Sequence, residues 1–392
     1  MAPKMAGIVS YRRPSLPWKV IEMSEQRWAL CHAVRTLGRP VSAVARDFGV
    51  SRKTAYKWLG RAQGGAESMV DRSRRPRVSP RRSDPSLEQQ MLAVRDAHGW
   101  GPRKIHAVLR RQGVQPLPCR RTVANVLKRH GRVTPPVAPP ATQRFERPEP
   151  NDLWQVDHKG PVEVDRRKLL PLSVIDDHSR YALAFEPLVD RTMRRTWAVL
   201  WDVFGDAGLP RQILADNAFG TMGIDKPVGL SWFDAQCIRL GIEPIHGRPY
   251  HPQTQGKVEA FHASAVRELI YRHARRDSEQ HFRVDTHAWR TVYNTQRPHE
   301  ALGDQVPLSR WRPSVRKRPA TMPTVQYEPG AWTRKVCQEG LLRWRGCRIL
   351  LGRGIAGDWV RLEEDESELR VFYGWKQVRR LHPSQITRDR VL

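Results

Sequence analysis

The stretch Tyr250–His262 reads YHPQTQGKVEAFH. Pro252 and Gly256 come just ahead of a run of helix-forming residues, so the pattern predicts the start of a helix. Glu259 lies about one turn into that helix, in a chain of 392 residues that carries a net charge of +28. A carboxylate with basic and aromatic neighbours in so basic a chain is a candidate ligand for a metal cation.

The composition is that of a large, folded and strongly basic protein. Hydrophobic residues make up 39% of the chain, 14 residues are Trp, and the isoelectric point is near 10.9. The length predicts roughly two to four domains. So large an excess of Lys and Arg predicts a polyanionic partner such as DNA. We expect no membrane partner, because no apolar run approaches the length of a bilayer span.

The cysteines and the N-terminus predict a reducing compartment. The five cysteines are odd in number, far apart and without Cys-x-x-Cys spacing, which argues against a disulfide framework and against a thiolate zinc site. The N-terminus lacks the charged, apolar and small-residue pattern of a secretion signal. We therefore expect a cytoplasmic protein.

Residues 1–150 hold 30 Lys and Arg but only 10 Asp and Glu, and two helical units are predicted there. The first is a helix-turn-helix domain over residues 20–66, in which Ser51 is a suitable N-cap for a third helix over 52–61. Four side chains of that helix are expected to enter the major groove of DNA: Arg52, Lys53, Tyr56 and Lys57. A plain three-helix bundle with a solvated basic face is the alternative.

A second helix-turn-helix domain is predicted over residues 85–132, with its last helix over 120–129. Its outward side chains are expected to contact DNA: Arg120, Arg121, Asn125 and Lys128. The basic linker between the two units, residues 67–84, contains Arg75 and Arg77 on either side of a proline. That triplet suits an arm in the minor groove, although a solvated tether is an equal alternative. A Pro-rich linker follows over 133–150.

Residues 151–306 show strand patterns that alternate with helices. Three strands are expected as an antiparallel meander, over 153–164, 168–175 and 181–188. Helix, strand, helix, strand and helix then follow over 192–208, 212–215, 230–240, 242–245 and 254–275, and a further helical run covers 288–294. This order predicts an α/β domain. A linker over 307–329 and a small β-barrel over 330–386 complete the predicted multidomain architecture.

Three carboxylates are expected at the edges of these elements. Asp157 lies within the first strand, Asp216 ends a later strand, and Glu259 is on the long helix. Hard oxygen donors that converge from separate elements suit Mg²⁺ or Mn²⁺, and two such ions support phosphoryl transfer. Spacing alone leaves a purely structural role open, because a chain with 40 acidic residues contains many such triples.

The sequence around each acid adds to its spacing. The informative stretches are residues 151–157 (NDLWQVD), 176–181 (DDHSRY), 215–217 (ADN), 251–259 (HPQTQGKVE), and 293–294 (YN) with 297–302 (RPHEAL). In these stretches the chain resembles the Asp-Asp-Glu transposases of bacterial insertion sequences, in the branch with a retroviral-integrase-like catalytic region. The resemblance spans nearly the whole chain.

The resemblance implies an RNase H-like domain with a mixed sheet, in which Asp157, Asp216 and Glu259 are the catalytic, metal-binding triad for two Mg²⁺ or Mn²⁺ ions. It also implies that Lys257 contacts a DNA phosphate. The implied reaction is hydrolysis at the transposon ends, followed by attack of the 3′-hydroxyl on target DNA. The implied partners are terminal inverted repeats, target DNA and further copies of the chain on paired ends, within the bacterial nucleoid.

Three departures from the family pattern are visible. Ala260 stands where the family usually has Arg, and Ala218 stands where it has Gly. In addition, 42 residues separate Asp216 from Glu259, which is more than the family's commonest spacing. Two alternatives therefore remain: a catalytically impaired, domesticated DNA-binding protein, and an RNase H-like nuclease.

Overall fold

The structure, a computed structural model, describes residues 23–71, 83–133, 146–216, 219, 222–223, 226–227, 229–246, 256–272, 274–366 and 368–382. Arg75 and Arg77 of the predicted arm lie outside these residues, as does Ala218. The chain divides into two compact units, an N-terminal unit, Met1–Arg82, and a C-terminal unit, Ser83–Leu392.

The N-terminal unit contains the first predicted helix-turn-helix. Its helices are α1 (Met23–Arg35), α2 (Val41–Asp47) and α3 (Arg52–Arg61). The Ser51 hydroxyl accepts a 3.1 Å hydrogen bond from Thr54 N, which satisfies a free amide at the start of α3. The three helices close over Leu30, Val44, Ala55 and Trp58, so the three-helix pattern predicted for this unit is confirmed.

The C-terminal unit begins with the second set of three helices. They are α4 (Pro85–His98), α5 (Pro102–Arg111) and α6 (Arg120–Arg129). Their core includes Met91, Ile105 and Val123, and Val292 from a later helix packs against it. The second helical unit is therefore not closed on itself.

A six-stranded mixed sheet forms the centre of the C-terminal unit. Its strands are β1 (Leu153–His158), β2 (Val162–Val164), β3 (Arg167–Asp176), β4 (Ala182–Leu188), β5 (Gln212–Ala215) and β8 (Glu243–His246). The order is β2-β3-β1-β5-β8, with β4 also on β3. The pairs that involve β3 are antiparallel, whereas β1 with β5 and β5 with β8 are parallel. The single strand expected over 153–164 is two strands, β1 and β2.

Helices cover both faces of this sheet. They are α7 (Met193–Ala207), α8 (Trp232–Arg239), α9 (Gly256–Ala265) and α10 (Glu279–Thr295). Strand alternation separates two cores: Trp154 packs with Phe204 of α7 on one face, and Phe185 packs with Phe261 of α9 on the other. The long helix expected to reach 275 ends at Ala265 and continues as a π-helical segment over Val266–Ile270.

The remaining short elements lie in connections. The strands β6 (Met222–Gly223) and β7 (Lys226–Pro227) pair between β5 and α8. Turns of 3₁₀ helix cover Ala62–Gly64, Ala66–Met69, Glu300–Leu302, Pro307–Arg310 and Arg353–Ile355. No helix in the described part of the chain combines the length and the apolarity that a bilayer crossing requires.

The segment over 307–329 packs against the sheet domain. Leu209 N donates a 2.7 Å hydrogen bond to Arg316 O, and Ser314 N donates one of 2.7 Å to Ala207 O. Gly208 has a φ of +79°, and a Cβ there would lie 2.7 Å from Arg316 O. The tight approach therefore requires glycine, and this linker follows the domain surface.

The C-terminal region is antiparallel, but the expected barrel is not confirmed. Its strands are β9 (Thr333–Lys335), β10 (Leu341–Trp344), β11 (Cys347–Leu350), β12 (Trp359–Glu364), β13 (Leu369–Tyr373) and β14 (Lys376–Leu381). Within the described residues they form a β10-β11 pair and a sheet of order β14-β13-β12-β9, with no pairing that closes a circle. Closure is not needed to bury this core, because Ala235 and Ile238 of α8 belong to it.

Candidate active site

Two of the three predicted acids lie side by side at one end of the sheet. The parallel register pairs Val156 of β1 with Ala215 of β5. Asp157 follows Val156 and Asp216 follows Ala215, so the two aspartates are neighbours at the carboxyl end of these strands. In open α/β sheets, ligands bind at this edge.

Glu259 reaches the same region from the first turn of α9. Contacts of the main chain and side chains fix this turn to the sheet. Gln155 of β1 accepts a 3.3 Å hydrogen bond from Val258 N and donates one of 2.9 Å to Asp177 Oδ1. Lys257 Nζ lies 2.5 Å from the same carboxylate oxygen of the fully buried Asp177. Lys257 and Val258, the two residues before Glu259, are therefore held by the sheet and by the turn after β3.

The carboxylates interact electrostatically. Burial, together with the negative charges of Asp216 and Glu259, raises the pKa of Asp157 to about 6, while a backbone hydrogen bond with His158 and the positive charge of Arg191 act in the opposite direction. Like charges that share a partly buried site disfavour one another's ionised form. Asp216 and Glu259 are thus each close enough to influence Asp157, although Glu259 itself is exposed.

A histidine sits beside Asp157. His262, one turn after Glu259 on α9, has Nδ1 3.7 Å from Asp157 Oδ2, and its Nε2 lies 2.7 Å from Ser173 Oγ. Burial, together with the positive charge of Lys159, lowers the pKa of His262 to about 4. The imidazole is therefore neutral near pH 7.

The donor set suits a hard divalent cation. Asp157, Asp216 and Glu259 carry carboxylate oxygens, the type of ligand that Mg²⁺ and Mn²⁺ prefer. Within the described residues, no three His, Cys, Asp or Glu side chains are gathered closely enough to hold a metal ion as they stand. The structure therefore places Asp157 and Asp216 side by side, with Glu259 near enough to act on Asp157, and leaves the metal-binding role of the three acids a prediction.

The predicted DNA contacts are distributed over both units. On α3 the side chains of Arg52, Lys53, Tyr56 and Lys57 are exposed, as are Arg121, Asn125 and Lys128 on α6. Arg120 is also exposed, and its Nη2 lies 3.1 Å from Asp304 Oδ2. Lys257 is mostly buried in its pair with Asp177, and burial lowers the pKa of its amine. Contact with DNA stays a prediction for each of these residues.

Gln155 and Asp177 received no role from the sequence. Asp177 is fully buried and also accepts a 2.8 Å hydrogen bond from Arg147 N. Both residues lie inside stretches that carry the family resemblance. A carboxylate directly after a strand of buried residues needs several hydrogen-bond partners. This requirement could have indicated a structural role for Asp177 from the sequence.

Solved structures similar to this chain include retroviral integrases. A chain of the simian T-cell lymphotropic virus intasome, solved with the PP2A regulatory subunit B56 gamma, is 14% identical; the match covers 76% of this chain and 98% of that one, with a TM-score of 0.38. The HTLV-2 integrase catalytic core domain in complex with magnesium, in its trimeric form, is 15% identical over 42% of this chain and 97% of that one, with a TM-score of 0.33.

Family models and sequence relatives match several parts of the chain. An integrase core domain matches residues 240–307, a homeodomain-like domain matches 54–127, and a helix-turn-helix domain matches 26–77. A Gag-Pro-Pol polyprotein of Mason-Pfizer monkey virus is 35% identical over 29% of this chain and 6% of the polyprotein.

A bacterial relative matches over most of the chain. A Geobacillus stearothermophilus protein assigned as the transposase of insertion sequence element IS5376 is 24% identical over 353 residues, which are 87% of this chain and 83% of that protein. The integrase core match covers β8, α9 and α10, and the helix-turn-helix matches lie in the N-terminal third. Together, the domain matches and the bacterial relative support an insertion-sequence transposase with an integrase-like catalytic core.

Proposed function

We propose that the chain hydrolyses phosphodiester bonds at transposon ends and joins the resulting 3′-hydroxyl ends to target DNA, with Asp157, Asp216 and Glu259 as the metal-binding triad. The observation that carries this proposal is the β1–β5 register, which makes Asp157 and Asp216 neighbours at the ligand-binding edge of the sheet. Glu259 lies on α9, near enough for its charge to act on Asp157.

The charge pattern supports a divalent metal in this site. Three carboxylates are mutually unfavourable when ionised together, and a hard cation between them removes that penalty. When bound, two Mg²⁺ or Mn²⁺ ions would activate the attacking oxygen and stabilise the leaving oxygen. The ligands would be Asp157, Asp216 and Glu259.

The protein's own contribution is position. Gln155 and the Asp177–Lys257 pair hold the first turn of α9 against β1, so they orient Glu259. Phosphoryl transfer depends strongly on such alignment, because little covalent chemistry is left for the protein to perform. All three are positioning residues in this proposal.

The proposed substrates are double-stranded transposon ends and target DNA. The net charge of +28 supports binding to the phosphate backbone, and the exposed side chains of α3 and α6 suit the major groove. Cleavage and joining at two ends call for a homo-oligomer that holds both ends together.

The test is cleavage and joining by the full-length protein with DNA that contains the element ends, with and without Mg²⁺. We expect Mg²⁺-dependent cleavage and end-joined plasmid products. Asp157→Asn and Glu259→Gln should abolish both while they preserve DNA binding. Asp206→Asn and Glu163→Gln are the matched controls, because they neutralise exposed acids elsewhere in the domain.

Three outcomes distinguish the candidates. Equal DNA binding by wild type and variants without any cleavage would contradict the enzymatic proposal and favour a DNA-binding regulator. Cleavage without joined products would favour a nuclease. Cleavage that survives both triad substitutions would remove Asp157 and Glu259 from the catalytic role.

A further inference from the structure

The second helix-turn-helix unit and the catalytic domain enclose a groove of about 750 Å³, which we name the basic groove. One wall is α6, through Arg121, Asn125 and Lys128. The other wall is the segment that follows α9, through Arg267, Tyr271 and Arg272. All six side chains are exposed, so both walls are open to a ligand.

The groove is strongly cationic. Its lining also includes Arg95, Lys104 and Arg132, against one acidic residue, Glu268. Glu268 is already engaged, because Arg297 and Lys104 both bond to its carboxylate. Within the described residues, Arg121, Lys128 and Arg267 form no ion pair with an acidic side chain. The positive charge of both walls is therefore available to a polyanion.

The cations also crowd one another. Burial lowers the pKa of Arg95, and the positive charges of Arg272 and Arg132 lower it further, against an opposing effect of Asp96. Some of the charge is screened, because Arg132 pairs with Asp96 at 2.9 Å and Arg272 donates to Asp96 O at 3.3 Å. An anionic ligand that spans the groove relieves the remaining repulsion.

The face of α6 matches a duplex rather than a small anion. Arg121, Asn125 and Lys128 follow one another at spacings of four and three residues, which places them on one face of the helix. Asn bonds to adenine edges, and Arg and Lys bond to guanine edges or phosphates. Tyr271 is 77% exposed on the opposite wall and adds a flat aromatic surface.

We infer that the basic groove binds one transposon-end duplex between its two walls. The DNA that α6 recognises is then also bound by the segment that continues α9, the helix that carries Glu259. This inference rests on the proposed function. Arg267 lies eight residues after Glu259 along α9 and its π-helical continuation. At 1.5 Å per residue the two are roughly 12 Å apart along the helix. That continuous helix sets the offset between recognition and cleavage.

The test compares charge-matched double variants of the full-length protein. Arg267→Ala/Arg272→Ala removes the catalytic-domain wall, Arg121→Ala/Lys128→Ala removes the α6 wall, and Arg167→Ala/Lys168→Ala removes two exposed charges at the start of β3. Affinity for an end-containing duplex is measured by fluorescence anisotropy across a salt series. Hydroxyl-radical footprints map the protected nucleotides.

Either groove pair should weaken binding about tenfold or more and flatten the slope of log K against log salt by about 1.8, as expected for two lost phosphate contacts. Each should erase protection within the same helical turn of the duplex. The β3 pair should keep the wild-type footprint. Arg267→Lys/Arg272→Lys should restore most of the slope, which separates charge from misfolding.

Two results would overturn the inference while the proposed function stands. One is wild-type binding and footprint by Arg267→Ala/Arg272→Ala when the α6 variant is impaired. The other is an equal loss in the β3 control, which indicates diffuse electrostatics. Wild-type protein that neither binds nor cleaves end DNA contradicts the proposed function itself.

Discussion

The two helix-turn-helix units share a three-helix pattern but differ in what completes them. The first closes its core with its own residues, among them Leu30, Val44 and Trp58. The second takes Val292 of α10 into its core and is pinned to the catalytic domain through Glu268 and Asp304. One sequence motif thus serves as a separate compact unit in one place and as part of the catalytic body in the other.

The attachment of the second unit is concentrated in one buried ion cluster. Glu268 accepts from Arg297 Nε at 3.0 and 2.9 Å, from Lys104 Nζ at 3.1 Å and from Trp100 Nε1 at 3.3 Å. Trp100 and Lys104 belong to the second helical unit, whereas Glu268 and Arg297 belong to the catalytic domain. The first unit has an ion pair for comparison, Arg27–Asp71 at 2.7 Å, but the Asp71 side chain in that pair is 62% exposed.

The largest expected effect comes from Glu268→Ala. Because the substitution leaves Arg297 buried without its partner, it should lower the free energy of unfolding by about 3–5 kcal/mol. Asp71→Ala, the exposed counterpart, should cost less than about 1 kcal/mol. Urea unfolding followed by Trp fluorescence measures both. Similar losses of unfolding free energy for the two variants would contradict the view that a buried ion cluster distinguishes the second unit from the first.

Acid should act on the same attachment. Burial opposes ionisation of Glu268, but Arg297 and Lys104 outweigh it and lower the pKa to about 2. Burial, with Arg297 next, lowers the pKa of the neighbouring His299 to about 2. Both folded pKa values lie below the ordinary values of 4.5 and 6.5. The unfolded chain therefore binds more protons, and stability falls as pH decreases.

The pH prediction is a decline that begins below about pH 6.5 and steepens below about 4.5, with each group contributing at most about 1.4 kcal/mol per pH unit. Urea midpoints measured from neutral pH down through this range test it. His299→Gln should flatten the upper part of the decline, and Glu268→Gln should flatten the lower part. A flat profile in the wild-type protein would contradict the assignment of both groups.

Specificity offers a third comparison. Lys57→Ala on α3 and Asn125→Ala on α6 should each relax discrimination between end and random DNA, by about 1–3 kcal/mol where a base contact is lost. Loss of Arg75 and Arg77 should instead weaken binding to all sequences and flatten its salt dependence. Competition binding with end and random duplexes measures both effects. Equal losses on both duplexes for all these variants would remove the division between recognition and backbone contact.

Local signals predicted these helices better than they predicted the attachment. The bounds of α3 and α6 agree with the sequence because Ser51 marks one start and apolar spacing marks the other. The helix expected over 288–294 in fact begins at Glu279. Its first half was missed because that half is mostly polar and packs through isolated apolar residues such as Phe282.

The sequence predicted the acidic residues of the site but not the contacts that hold them in place. Asp157 and Asp216 follow strand patterns, so their approach could be expected. The contacts that orient Glu259 could not, because Gln155, Asp177 and Lys257 meet through tertiary packing.

The same limit applies to the C-terminal third of the chain. The prolines after 306 suggest a free linker, although Ser314 and Arg316 bond to the domain surface. The prediction of a barrel was not confirmed for a similar reason. Helix α8 supplies apolar surface to the C-terminal core, and no local sequence pattern reveals this contact.

The smallest expected effect concerns the helix starts of the two recognition helices. Ser51 caps α3, whereas Cys119 precedes α6 without a side-chain cap to the backbone. Ser51→Ala should lower the stability of the N-terminal unit by about 1 kcal/mol, because Thr54 N loses its acceptor. Cys119→Ser should change stability in the opposite direction, since a hydroxyl at this position can accept from the first turn of α6. Thermal unfolding of the two variants, with Ser51→Thr as the control that keeps a hydroxyl, measures the difference. If Ser51→Ala left the transition unchanged while Cys119→Ser raised it, packing rather than capping would define the start of α3.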